Sequence, residues 1–205
     1  MDTYEYNDLL SKIETFEWDS TWIEHTENTQ AKRVYYIGDS ISNGLRRMCT
    51  EASGNEFLFD GCATSKSLDN PWYHDTIALF GKQLPKVETI LFNMGLHGWH
   101  LDDTEGYPFY YEKTVEFLLK EFPGARLVLV LTTRLADRER NERVKLRNKA
   151  ALSVADKFGL PVIDLFTLSE ELAAYQHDDG CHFKNEGNEK MAEYIIKELK
   201  KITEM

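Results

Sequence analysis

From about residue 33 to the C-terminus, short β-branched or aliphatic runs alternate with longer stretches whose apolar residues recur three and four apart. This alternation constrains the fold more than any other feature, because it is what a parallel sheet with crossover helices requires. Strands are expected at Arg33 to Ile37, Glu56 to Asp60, Thr89 to Asn93, Arg126 to Leu131 and Pro161 to Leu165. The fourth is apolar on both parities, as a strand buried on both faces must be. Helices are expected near Ser42 to Glu51, Trp72 to Leu84, Phe109 to Phe122, Arg138 to Phe158 and Glu186 to Ile202, with stripes such as Val115, Leu118, Leu119 and Phe122. Pro123-Gly124 and Gly159-Leu160-Pro161 are helix stops. Right-handed crossovers place helices on both faces, so the chain reads as a three-layer α/β/α sandwich.

A chain of 205 residues can bury roughly 70% of its unfolded surface, enough for one core and short for two. Residues 1–205 are therefore read as a single domain, with 1–30 as an N-terminal helical extension carrying an amphipathic helix over Tyr4 to Phe16. The balance of 24 Lys plus Arg against 35 Asp plus Glu gives a net charge of −11, which repels nucleic acid and anionic membranes. No apolar run approaches a membrane span, and the acidic start MDTYEYNDLL lacks a secretory pattern, so a cytoplasmic location is expected. The spacing of Cys49, Cys62 and Cys181 suggests neither a disulfide framework nor a zinc site.

Ligands of doubly wound sheets bind at the carboxyl ends of the strands. Ser40, in Ile37-Gly38-Asp39-Ser40-Ile41, follows the first strand and opens a helix, beside free amide N–H groups. It is placed as a nucleophile would be, although Ser40 or Asp39 could equally serve as a helix cap. Before the last helix, Asp179 stands three residues ahead of His182, a spacing that lets a carboxylate hold one imidazole nitrogen and leave the other facing the cleft. A loop-closing pair is the plain alternative. A metal held by His177, Asp178, Asp179, Cys181 and His182 is disfavoured, because adjacent ligands on so short a segment rarely converge. Gly61 and Ser40 offer oxyanion N–H groups, and the Asn93 to His100 segment offers amide and imidazole donors.

Together, Gly38-Asp39-Ser40-Ile41, a glycine after the second strand, the Gly95 block and Asp179-x-x-His182 resemble the SGNH/GDSL hydrolase family over residues 33–203. The resemblance implies a flavodoxin-like five-stranded parallel sheet of order 2-1-3-4-5. It also implies Ser40 as nucleophile, His182 as base and then acid, Asp179 as its orienter, and the N–H groups of Ser40 and Gly61 as oxyanion donors. One departure stands out. The family's third block usually reads Gly-x-Asn-Asp, whereas Gly95-Leu96 is followed here by His97 and Gly98, so His97, or else Asn93, is the expected substitute donor.

Candidate substrate contacts are Asp39, Trp72, Trp99 and Arg134, the indoles because flat rings stack on sugar faces. The expected activity is hydrolysis of a short-chain, acetyl-type ester on a small molecule or oligosaccharide, without metal or organic cofactor. A lipase, lysophospholipase or thioesterase on the same residues is the rival enzyme. A weakly active carbohydrate-binding or scaffolding domain is the rival outside catalysis.

Overall fold

The computed structural model describes residues 13, 16–102 and 106–204. Among the described residues, six strands form one sheet: β1 (Asp19–Trp22), β2 (Lys32–Gly38), β3 (Phe57–Thr64), β4 (Thr89–Phe92), β5 (Arg126–Val130) and β6 (Val162–Ile163). The α-helices of the described residues are α1 (Ser40–Ala52), α2 (Tyr73–Gly81), α3 (Gly106–Glu121), α4 (Arg138–Phe158), α5 (Leu165–Glu171) and α6 (Asn185–Glu204). The sheet order is β1-β3-β2-β4-β5-β6, with β1 antiparallel and the other five parallel. Without β1, the parallel strands stand in the expected 2-1-3-4-5 arrangement.

The pleat of β2 shows how the sequence divides the core. Val34 and Tyr36 face α1 and α6, in a cluster with Leu45, Phe59, Val128, Ile195 and Leu199. Tyr35 and Ile37 face the opposite layer, with Ile77, Phe92, Tyr111, Leu118 and Leu129. All four are essentially fully buried, so the run had to be apolar on both parities. Tyr73, Tyr107 and Tyr111 belong to this second core rather than to an open cleft.

The structure departs from the sequence expectation at three places, two of them through pairing with distant chain and one through a local helix cap. The second expected strand runs four residues past Asp60, to Thr64, and those residues are the ones paired with β1: Trp22 opposite Gly61 and Asp19 opposite Thr64. The segment 17–30 therefore carries a strand, not a helix. The expected Tyr4 to Phe16 helix falls on residues that, Ile13 and Phe16 apart, lie outside those described. The last strand is only Val162–Ile163, because Asp164 caps α5 by accepting the Thr167 N–H at 2.9 Å.

The segment after β1 is anchored by a buried ion pair. Arg33 donates to Asp60 at 2.7 Å and to the carbonyls of Glu24, His25 and Asn28, and Asp60 also accepts the Glu24 N–H at 2.9 Å. Removing one partner of such a pair strands a charge in the interior. Asp60→Ala should therefore cost about 3–5 kcal/mol in urea unfolding; a loss below about 1 kcal/mol would show that water reaches Arg33. Among the described residues, no helix is long and apolar enough to cross a membrane.

Candidate active site

Ser40 is the first residue of α1, directly beyond the end of β2. Asp39 caps the helix in an extended conformation, its Oδ1 accepting the Ile41 N–H at 3.0 Å. Its Oδ2 accepts the Gly95 N–H at 3.3 Å, which ties the loop after β4 to the serine turn. Burial pushes the Asp39 carboxyl up, against the pull of nearby His97 and of the two N–H donors. With no exposed surface, Asp39 is a clamp between two loops and not the substrate contact expected of it.

Across the cleft, the turn before α6 brings His182 over the serine. His182 Nε2 lies 2.8 Å from Ser40 Oγ, and His182 Nδ1 lies 2.8 Å from Asp179 Oδ2. Asp179 Oδ1 accepts the N–H groups of Cys181 at 2.8 Å and His182 at 3.0 Å, so the carboxylate is oriented on both oxygens. A carboxylate on Nδ1 holds the proton there and leaves the Nε2 lone pair for the serine hydroxyl. The Asp179 and His182 side chains are 27% and 34% exposed, open enough to meet a ligand.

Asp179 also predicts a pH effect. Partial burial pushes its carboxyl up, but the Cys181 N–H, the His182 ring and the His182 N–H outweigh this and hold it below the ordinary Asp range. A depressed pKa contributes stability that is present above the unfolded value, near 3.9, and is lost as pH falls through the lower folded value. An Asp179→Asn variant lacks that titration. The difference in urea midpoint between wild type and Asp179→Asn should therefore shrink as pH is lowered from about 6 to about 2; a constant difference would refute the charge term.

The turn itself is held by Arg134 and Gln176. The Arg134 guanidinium donates to Gln176 Oε1, and Gln176 Nε2 donates to the carbonyls of Arg134 at 3.1 Å and Gly180 at 3.3 Å. The Ala136 N–H reaches Gly180 O at 2.8 Å. Arg134, expected to meet a substrate, is thus engaged in supporting the His182 turn. Among the described residues, no group of three or more His, Cys, Asp or Glu could hold a metal ion.

The expected oxyanion donors fare unevenly. Ser40, at the first helical position, has an N–H with no acceptor within the helix. Gly61 is a correction: it sits in mid-strand, opposite Tyr36 on one side and Trp22 on the other, three residues short of the strand end. Its missing side chain makes room for Arg46, whose Cδ would lie 2.5 Å from a Cβ there. At the true end of β3 the Ser65 N–H is given to Trp18 O at 3.1 Å and the Lys66 N–H to Thr64 Oγ1 at 3.1 Å. Asn93 is also corrected, since its buried Nδ2 donates to Val130 O at 3.0 Å and Thr132 Oγ1 at 3.1 Å. His97 is buried, its ring edge-on to Trp18 with centroids 6.2 Å apart.

Trp99 is corrected too. It is 3% exposed and packed under the Arg147 and Arg143 guanidinium groups, 4.2 and 5.0 Å from its ring, so no face is open to a sugar. Trp72 is exposed, just ahead of α2. Two groups escaped the sequence reading. Trp18, from the segment before β1, borders His97 and Ser65, and nothing local to its sequence marks it. Arg147 did leave a signal: it occupies a core position of the α4 stripe Val144, Arg147, Ala151, Val154, where an apolar residue is the rule.

No protein-family model matches the sequence, and none of the curated proteins does. Solved structures do resemble it. A lipase/acylhydrolase from Enterococcus faecalis superposes with a TM-score of 0.63 at 18% identity, covering 83% of this chain and 96% of that one. A member of the lipolytic G-D-S-L family from Veillonella parvula gives 0.63 at 16% identity, over 82% and 97% of the two chains. An acetyl xylan esterase, AlAXEase, gives 0.60 at 15% identity, over 82% and 99%.

Proposed function

We propose that this chain, whose fold is that of the GDSL/SGNH lipases and acylhydrolases, is a serine esterase that removes short acyl groups, acetyl above all, from a carbohydrate or other small neutral alcohol. The observation that carries the reading is the unbroken relay from Asp179 through His182 to Ser40, two contacts of 2.8 Å at a helix start on the carboxyl edge of the sheet. Ser40 Oγ attacks the ester carbonyl carbon while His182 Nε2 takes the hydroxyl proton. The carbonyl oxygen becomes an anion, met by the Ser40 N–H and by the loop after β4. The C–O bond to the alcohol then breaks, with His182 returning the proton to the leaving oxygen. Water, deprotonated by His182, repeats the attack on the acyl-enzyme and releases the carboxylic acid and free Ser40.

The preference for small acyl groups is supported by the chain at the carboxyl end of β3, the same edge of the sheet that carries Ser40. Thr64, the last residue of β3, and Ser65, Lys66 and Ser67 beyond it form a buried polar run where a long-chain lipase would need apolar surface. Among the structurally similar proteins, the acetyl xylan esterase acts on such a substrate. The charge of −11 further favours a neutral substrate over an anionic one. A panel of p-nitrophenyl esters of increasing acyl length, run with acetylated oligosaccharides, should give the highest kcat/KM at acetate. A maximum at eight carbons or more would replace this reading with the lipase, and no turnover of any ester would favour a binding domain.

A further inference from the structure

The interior of α4 holds a full positive charge. Arg147 is 2% exposed, and its guanidinium donates to the carbonyls of Gly95 at 3.0 Å, His97 at 2.7 Å and Gly98 at 2.8 Å and to Asp102 Oδ1 at 2.8 Å. The Trp99 and Tyr107 rings lie 4.2 and 4.4 Å from it. Arg143, one turn earlier, adds Asp102 Oδ2 at 2.6 Å and the Trp99 carbonyl at 2.5 Å. Replacing a buried ion pair by apolar side chains is often neutral or stabilising, so stability alone does not account for a charge here. Geometry does. Across a trans peptide bond, as in this loop, a carbonyl turned towards α4 turns the N–H of the same peptide the other way. The N–H groups of Leu96, Gly98 and Trp99 therefore face away from Arg147. The loop's other flank is the one that meets the serine turn and the end of β3, through the Gly95 N–H on Asp39 and through Gly98, whose Cβ would lie 2.6 Å from that of Ser67.

We propose that Arg147 is a positioning residue for the esterase reaction: by gathering the carbonyls of residues 95–98 it aims the loop's N–H groups at the Ser40 edge, where they stabilise the oxyanion in place of an asparagine side chain. This rests on the hydrolase reading above. It also answers a shortage, because the Ser65 and Lys66 N–H groups at the end of β3 are already given to Trp18 O and Thr64 Oγ1. Backbone N–H groups turned to one side of a loop form an anion-binding concavity, and such a concavity needs something to hold the opposite carbonyls in line.

The test uses Arg147→Met and Arg147→Lys with p-nitrophenyl acetate and with an alkylboronic acid, whose boron forms a tetrahedral anionic adduct on Ser40 Oγ as the hydroxyl proton passes to His182. Lysine keeps a charge but cannot span three carbonyls and a carboxylate. In the folded variants kcat should fall about 100-fold, as when an oxyanion donor is lost, with KM changed less than about threefold. Boronate affinity should weaken by about the same factor as kcat. A kcat within about threefold of wild type, or a lowered kcat with boronate affinity intact, overturns the proposal. So does failure of both variants to fold, since the residue would then be structural. A Ser40→Ala control separates the two failures. If it turns over the ester as fast as wild type, the hydrolase reading fails and this one with it; if turnover depends on Ser40 but survives at Arg147→Met, only the Arg147 role is lost.

Discussion

Ser40→Ala should lower kcat for p-nitrophenyl acetate about 10⁶-fold while leaving the fold intact. The size follows from the proposed mechanism, in which the residues act as a unit: without Oγ no acyl-enzyme would form, and His182 would have nothing to deprotonate except water. What survives is transition-state binding by the N–H groups, still about 10³-fold to 10⁴-fold over water. Stability should change by less than about 1 kcal/mol, because the hydroxyl is only partly buried and gives up one hydrogen bond, to His182. His182→Ala should lose about as much activity, and the double variant little more than either single one, since both remove the same step. Additive losses would show that Ser40 and His182 do not share a reaction.

Gly95→Ala should be the most damaging single methyl in the loop after β4. A Cβ at position 95 would lie 1.9 Å from Thr132 Oγ1, 2.7 Å from its Cβ and 2.8 Å from its Cγ2, distances no real contact tolerates. Thr132 cannot swing aside. It is β-branched and buried, its Oγ1 accepts from Asn93, and its backbone N–H and carbonyl are both bound by Asn148, at 2.8 and 2.9 Å. The cost should be about 3 kcal/mol or more, a drop in Tm of about 6–12 °C for a chain of this size. Activity should fall further than stability, because a shifted Gly95 breaks its bond to Asp39 and turns the peptides that Arg147 holds. Thr132→Ala should relieve part of the clash, so the double-mutant cycle should show coupling of about 1–3 kcal/mol. A loss below about 1 kcal/mol for Gly95→Ala would mean that β4 and β5 can part at this end without penalty.

Positions 38–40 and 179–182 were legible because each is a local device. A strand end, a cap and a serine span three residues, and a carboxylate three residues before a histidine needs only one turn to reach it. The five parallel strands were legible for a similar reason, since two-sided apolar runs and helical stripes are carried within each element. The glycine after the second strand was misread because register is not local. Whether Gly61 ends a strand or lies within one depends on Asp19 to Trp22 pairing alongside it, more than thirty-five residues earlier in the chain. Trp99 and Arg134 were taken for substrate contacts because a loop's polarity does not say which side faces solvent; one packs under two arginines and the other braces Gln176.

The sequence by itself thus determined the layers and the residues that could react, since hydrophobic period and short capping motifs act over a few residues; the order of the parallel strands was implied only by the resemblance to a known family. Only the tertiary structure decided which N–H groups at the sheet edge are already bound. That outcome depends on which distant groups claim them: Trp18 takes the Ser65 N–H, while Arg147 takes the carbonyls of the loop after β4 and leaves the N–H side of that loop turned away from α4.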